Sequence, residues 1–173
     1  MATNLKLGSV NIANMYLGNI AISKAYLGNT LIYSKASEPE PTVTAGLLGD
    51  LSKGYSFYKD NESEADPTLV LTGNSIKITP ISNSMVGVYY HVKGLNASTR
   101  YTLTWNDTAA GTWVEVYGLD QNGNALDEAL ASGMSGSPGQ TVTRNFSGYT
   151  GYEVVFFSVD SAVKSYNNIN MSQ

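Results

Sequence analysis

The stretch VYYHVKGLNASTRYTLTW, residues 88–105, decides the fold, because it places a turn between two runs of alternating apolar side chains. In the first run the alternating positions are Val88, Tyr90 and Val92, preceded by Val86 just before the stretch. In the second run they are Tyr101, Leu103 and Trp105. A period of two is typical of a strand that buries one face. Because Lys93 and Gly94 supply turn chemistry between the runs, the stretch predicts two neighbouring strands.

The same pattern continues on both sides of this stretch. Runs with strand composition recur between turn residues at 68–71, 75–79, 86–92, 100–105, 112–117, 140–146, 152–159 and 164–171. Residues 126–131 fit either a short helix or a further strand. About eight strands in about 130 residues predict an all-β domain over residues 42–173, a jelly roll or related β-sandwich of two packed sheets.

Residues 88–105 resemble the strand–turn–strand signature of carbohydrate-binding-module-like and galactose-binding-like jelly rolls. In those domains an apolar strand is followed by a step of the type GL-polar turn-YTL and then by an aromatic residue. They commonly end in a strand like KSYNNINM, residues 164–171, which returns beside the first strand. The resemblance covers about two-thirds of the chain and implies the fold more than any ligand.

Composition excludes several classes of function. The chain has 173 residues, a formal net charge of −4, 42% hydrophobic residues, one histidine and no cysteine. The hydrophobic content is enough for a packed core, whereas no apolar run is long enough to span a membrane. An acidic chain without Lys/Arg clusters argues against nucleic acid as a partner. The missing cysteines exclude disulfides and cysteine-based metal sites, and we expect no cofactor and no signal peptide.

A ten-residue repeat occupies the start of the chain, with LKLGSVNIAN at 5–14, MYLGNIAISK at 15–24 and AYLGNTLIYS at 25–34. Its Gly-Ser and Gly-Asn pairs suit two-residue hairpin turns, because glycine adopts a positive φ without strain. The runs between the turns, 10–17 and 20–27, have strand length, so a β-meander is predicted for residues 1–34. Both of its faces are fairly apolar. We therefore expect it to be covered by the following domain, by copies of itself or by another protein.

The segment KASEPEP, residues 35–41, separates this repeat from the predicted sandwich. Two prolines that alternate with glutamates disfavour both helix and ladder pairing and extend the backbone. The sequence thus predicts three parts, a β anchor at 1–34, a linker at 35–41 and a jelly roll at 42–173.

The repeat and linker resemble the N-terminal segments of tailed-bacteriophage virion proteins, in which YLGN-x-x-I units precede a β-domain. The matching residues are 16–19 with Ile22, and 26–29 with Ile32 and Tyr33, whereas the first copy has Lys6 and Ser9 at two of these positions.

The resemblance implies a structural protein of the virion, assembled in the host cytoplasm. It would be a capsid decoration, head fibre or tail appendage that docks on other virion proteins through its N-terminal segment. A homo-oligomer is implied, with a trimer as one arrangement. The expected anchor residues are Tyr16, Leu17, Gly18, Ile20, Ile22, Tyr26, Leu27, Gly28 and Ile32.

Catalytic groups are scarce, and we predict that the protein is not an enzyme. His91 lies in an alternating strand on the face opposite Tyr90, as an ordinary strand histidine. Glu115 and Glu153 lie in strands beside aromatic residues and are conceivable as the paired carboxylates of glycoside hydrolysis, but nothing in the sequence brings them together. The acidic run Asp60, Glu62, Glu64 and Asp66 lacks the spacing of a calcium loop. It is predicted to be solvated, and no metal site is expected.

Aromatic residues are the remaining candidates for a binding site. Sugars are often held by Trp and Tyr faces with nearby polar groups, so we select Tyr89, Trp113, Tyr117 and Tyr152 as candidate glycan-binding residues. The competing interpretation is that these rings belong to the core. Two functions follow, a non-enzymatic virion structural protein and, as the alternative, a carbohydrate-binding module for surface glycans. The two functions are compatible in one chain.

Overall fold

The computed structural model describes residues 44–61, 65–81, 85–107, 112–134 and 139–173, together with the backbone of six short strands nearer the N-terminus. The chain divides into two compact units, Met1–Pro39 and Glu40–Gln173. The predicted linker at 35–41 lies outside the described residues, and its separating role stays a prediction.

The described strands of the first unit form three β-hairpins, one for each copy of the repeat. Their strands are β1 Lys6–Leu7, β2 Val10–Asn11, β3 Met15–Leu17, β4 Ile20–Ile22, β5 Lys24–Leu27 and β6 Thr30–Ser34. Leu7 pairs with Val10, and the corresponding pairs in the other two copies are Leu17 with Ile20 and Leu27 with Thr30. Two residues therefore separate the paired ends of each hairpin, as the repeated glycine pairs predict. Residues 12–14 and 23, within the predicted strands 10–17 and 20–27, lie outside the described residues.

The second unit is an all-β sandwich, which confirms the predicted fold class. Its strands are β7 Thr44–Ala45, β8 Tyr55–Lys59, β9 Thr68–Leu71, β10 Ile76–Thr79, β11 Val86–Lys93, β12 Tyr101–Asp107, β13 Thr112–Leu119, β14 Ala125–Met134, β15 Thr141–Phe146, β16 Gly151–Ser158 and β17 Lys164–Ser172. One sheet has the strand order β15-β12-β17-β10-β9. The other has the order β14-β13-β16-β11-β7, and β8 also pairs with β11. The pairing is antiparallel except between β7 and β11.

All eight strands predicted for this unit are present, and three further strands were not predicted as such. The strands β7 and β8 were missed, because a two-residue strand and a five-residue aromatic run carry little periodic signal. The segment that fitted either helix or strand is the edge strand β14. Its helix-favouring residues are held extended by pairing with β13, where the register shifts twice.

The core lies between the two sheets, and the alternation in the sequence identifies its members. Val88, Tyr90 and Val92 of β11 face Tyr101, Leu103 and Trp105 of β12 within one buried cluster. The partners from other strands are Ile76, Ile78, Val114, Val116, Phe146, Tyr152, Val154, Phe156, Tyr166, Ile169 and Met171. Within the described residues, no helix has the length and apolar character needed to cross a membrane.

Candidate functional site

The candidate site is the face of the six-stranded sheet that points away from this core. Because side chains alternate along a strand, the residues between the core positions project from that face. The strand register arranges them in three rows. The first row is Tyr58, Gly87, Phe157 and Trp113; the second is Ser56, Tyr89, Val155 and Glu115; the third is His91, Glu153 and Tyr117. We call these eleven residues the outer face.

The middle of the outer face is covered, although it points away from the core. Phe157 is 1% exposed and Val155 is fully buried, so neighbouring side chains cover them. Trp113, Tyr117 and Tyr89 keep part of their surface exposed. The accessible part of the outer face is therefore formed by partly exposed rings around a covered apolar centre, and such rings are common in small-ligand sites.

Aromatic stacking shapes the first row. The ring of Phe157 lies between two others, with centroids 5.2 Å from Tyr58 and 6.3 Å from Trp113 and interplanar angles of 28° and 29°. Gly87 lies between Tyr58 and Phe157 in the row and has no side chain to separate them. The result is a band of nearly parallel rings across three strands, since each ring stacks on the next.

Glu115 is held by the two partly exposed aromatic residues on its own strand. The indole Nε1 of Trp113 donates a hydrogen bond to Oε1 of Glu115 at 3.0 Å, and the hydroxyl of Tyr117 donates to Oε2. Burial, followed by the hydrogen bond to Glu115 and its charge, raises the pKa of Tyr117 well above the ordinary value for tyrosine. The carboxylate therefore fixes the orientation of both rings and remains able to accept further hydrogen bonds.

Glu153 is paired with the single histidine of the chain. Nε2 of His91 lies 2.8 Å from Oε2 of Glu153, and only 10% and 16% of the two side chains are exposed. Tyr89 packs beside His91, with ring centroids 5.5 Å apart. The position of His91 opposite the core positions of β11 agrees with the sequence prediction, but the histidine is also part of a polar pair that the sequence did not reveal.

Three of the four predicted glycan residues lie together on the outer face, namely Tyr89, Trp113 and Tyr117. The prediction is corrected for Tyr152, which is fully buried in the core with its ring 4.7 Å from that of Phe146. Its hydroxyl accepts a hydrogen bond from the backbone N–H of Tyr149, so it cannot face a surface ligand.

Sequence reasoning missed the contribution of Tyr58 and Phe157 to the outer face, and the closeness of the two carboxylates. Glu115 is opposite Val155, so Glu153 lies on the neighbouring strand one diagonal step away. Alternation within the run YSFYK would have placed Tyr58 on one face, had this strand been predicted.

Metal binding finds no support in the described part of the chain, where no three acidic or histidine side chains are grouped to hold an ion. Of the acidic run, Glu62 and Glu64 lie outside the described residues, and Asp66 accepts a hydrogen bond from Nζ of Lys59 at 2.9 Å. The side chains of the predicted anchor residues also lie outside the described residues, so that assignment stays a prediction.

No protein-family model matches this sequence, and no curated protein matches it significantly. Among solved structures, the enzymatically active domain of tailspike protein 4 from bacteriophage CBA120 is similar with a TM-score of 0.56 and 13% identity. That match covers 77% of this chain and 21% of the other, so this chain spans about a fifth of that length. A structure of CBM4 has a TM-score of 0.49 and 11% identity, covering 79% of this chain and 96% of the other. The N-terminal cellulose-binding domain of β-1,4-glucanase C from Cellulomonas fimi has a TM-score of 0.48 and 17% identity, covering 73% and 92%. At these identities, the first similarity shows the fold alone.

Proposed function

We propose that the second unit is a non-catalytic glycan-binding module and that the ligand lies on the outer face of the six-stranded sheet. The observation that carries the proposal is the group of partly exposed rings Trp113, Tyr117 and Tyr89, with Glu115 hydrogen-bonded to two of these rings. Rings and an oriented acceptor occur there on one face of one sheet, on β13 and β11, which both pair with β16.

The chemistry of a sugar matches these two kinds of group. The C–H faces of a pyranose pack on aromatic rings, and its hydroxyl groups donate hydrogen bonds to carboxylates. The rings are oriented before the ligand arrives, because Glu115 and the stack around Phe157 hold them. Such preorganisation reduces the entropy lost on binding.

The two carboxylates favour binding over hydrolysis. A glycosidase requires one carboxylic acid that gives its proton to the leaving oxygen. Here Glu115 accepts hydrogen bonds from two donors and Glu153 is paired with His91. Both carboxyl groups are thus already engaged by neighbouring side chains, which favours a role in recognition over one in acid–base catalysis.

Trp113→Ala is expected to weaken glycan binding at least about tenfold, since it removes a ring and one of the two donors that orient Glu115. The measurement is a calorimetric titration with a glycan selected by screening the full-length protein on a glycan array. Thr143→Ala on the outward side of the other sheet is the matched control and should bind like the wild type. If the wild type, Trp113→Ala and Thr143→Ala bind the glycan with equal affinity, the outer face is not the binding site.

A second function, compatible with the first, is an anchor within a phage particle. We propose that the first unit docks in several copies on a capsid or tail protein and that the second unit is exposed on the virion. The three hairpins favour this function, because they repeat the same two-residue spacing at intervals of ten residues. A repeated structural unit offers several equivalent contacts, and linked contacts strengthen attachment.

Ile22→Asp is expected to abolish incorporation into particles, because it introduces a charge into the hairpin of β3 and β4. Immunoblotting of purified particles measures incorporation, and circular dichroism should show that the sandwich remains folded. Normal incorporation of this variant would contradict the anchor. Light scattering of the full-length protein and of residues 42–173 would test whether the first unit forms oligomers.

A further inference from the structure

The outer face carries an unbalanced charge. Among its eleven residues there are two acids, Glu115 and Glu153, one histidine, and neither lysine nor arginine. His91 is paired with Glu153. The two groups that hold Glu115, the indole of Trp113 and the hydroxyl of Tyr117, are neutral donors, so they orient its charge without cancelling it.

The two carboxylates lie near the aromatic rings and influence their ionisation. The pKa of Tyr58 is raised by burial and then by the charges of Glu115, Asp60 and Glu153. Burial is also the main cause of the raised pKa of Tyr117, and both glutamates of the outer face add to it. Tyr58 and Tyr117 lie in different rows and on different strands, so the two carboxylates act on rings in more than one row of the outer face.

We infer that the glycan bound by the outer face carries primary ammonium groups, as in a polymer of unacetylated hexosamine. This inference rests on the proposed function and specifies its ligand. An ammonium group is attracted both by carboxylates and by the faces of Trp and Tyr rings, and the outer face presents the two together. Uronic-acid polymers would be repelled by the same charges, and neutral glycans would gain only from packing and hydrogen bonds.

The test uses two ligands that share a backbone and differ in acetylation, the tetramer of glucosamine and the tetramer of N-acetylglucosamine. The full-length protein is titrated with each in mildly acidic buffer of low ionic strength, where the amines are protonated. We expect the ammonium form to bind about tenfold more tightly. The difference should shrink when the salt concentration is raised to about 0.5 M, because salt screens exposed charges.

Two variants test whether the preference for the ammonium form arises on the outer face. Glu115→Gln keeps groups that can hydrogen-bond to Trp113 and Tyr117 and removes the charge, so it should reduce the tenfold preference to about threefold or less. Glu128→Gln removes the same charge from an exposed position on β14 and should leave the preference unchanged. Tetralysine serves as a cation without a sugar ring and should bind much more weakly than tetraglucosamine.

The outcomes separate this inference from the proposed function. Equal binding of both tetramers, or tighter binding of the acetylated one, overturns the ammonium preference and leaves glycan binding in place. If tetralysine binds as tightly as tetraglucosamine, the ligand of the outer face is a cationic peptide and not an ammonium-bearing glycan, which overturns the inference. If no glycan binds at all, the proposed function and the inference fail together.

Discussion

Gly87→Ala is expected to lower the free energy of unfolding of the second unit by about 3 kcal/mol or more. A Cβ at this position would lie 2.1 Å from the carbonyl oxygen of Phe156 and 2.6 Å from Cα of Phe157. Both atoms belong to the backbone of β16, which is paired on both sides and cannot move away without loss of ladder hydrogen bonds. The substitution would also disturb the stack of Tyr58 on Phe157, so glycan binding should weaken as well.

Denaturant unfolding followed by circular dichroism measures this effect. The matched control is Gly73→Ala, where a Cβ would have no neighbour within 4 Å and the backbone does not require a positive φ. The control should unfold at the wild-type midpoint or slightly above it. If Gly87→Ala also unfolds at that midpoint, the close approach of β11 and β16 described here is wrong.

Tyr166→Phe is expected to cost about 2–3 kcal/mol of stability, although it removes only one oxygen atom. The hydroxyl of Tyr166 crosses the core from the five-stranded sheet to the six-stranded sheet. It accepts a hydrogen bond from the backbone N–H of Trp113 at 2.9 Å and lies within donating distance of two carbonyl oxygens, 2.9 Å from that of Trp113 and 2.7 Å from that of Phe157. Phenylalanine would leave buried backbone groups without this partner.

The same variant should also affect glycan binding, because the hydroxyl of Tyr166 is hydrogen-bonded to the backbone of Trp113, whose partly exposed indole lies on the outer face. We expect weaker glycan binding than in the wild type, even where the variant is fully folded. Tyr55→Phe is the control, since its partly buried ring contacts Phe57 and Tyr90 and lies away from Trp113. A Tyr166→Phe protein with wild-type stability and affinity would show that the hydroxyl is dispensable.

The sequence was sufficient for the sandwich, because alternation at 86–92 and 101–105 marks strands with one buried face. It was insufficient at β16, where both faces are buried. Val154 and Phe156 face the core, while Val155 and Phe157 lie on the outer face. A strand that is buried on both faces shows no alternation of apolar and polar residues. The sequence pattern therefore does not indicate whether the side chain of Tyr152 faces the core or the outer face.

The candidate site was predicted in part, because it depends on how strands are placed beside one another. Trp113 and Tyr117 share a face by simple alternation. Their position beside Phe157 and Glu153 follows from the pairing of β13 with β16, which are more than thirty residues apart in the chain. A shift of one residue in that register would turn every side chain of one strand to the other face. Sequence alone does not specify the register between strands so far apart.

The most direct test of glycan binding on the outer face uses the two tryptophans of the chain. Trp105 is fully buried in the core, and Trp113 is partly exposed on the outer face. In a ¹H–¹⁵N correlation spectrum, the indole signal that disappears in Trp113→Ala identifies Trp113. We predict that titration with the bound glycan shifts this signal and leaves that of Trp105 nearly unchanged. Saturating glycan that leaves the Trp113 signal unmoved would contradict the outer face as the binding site.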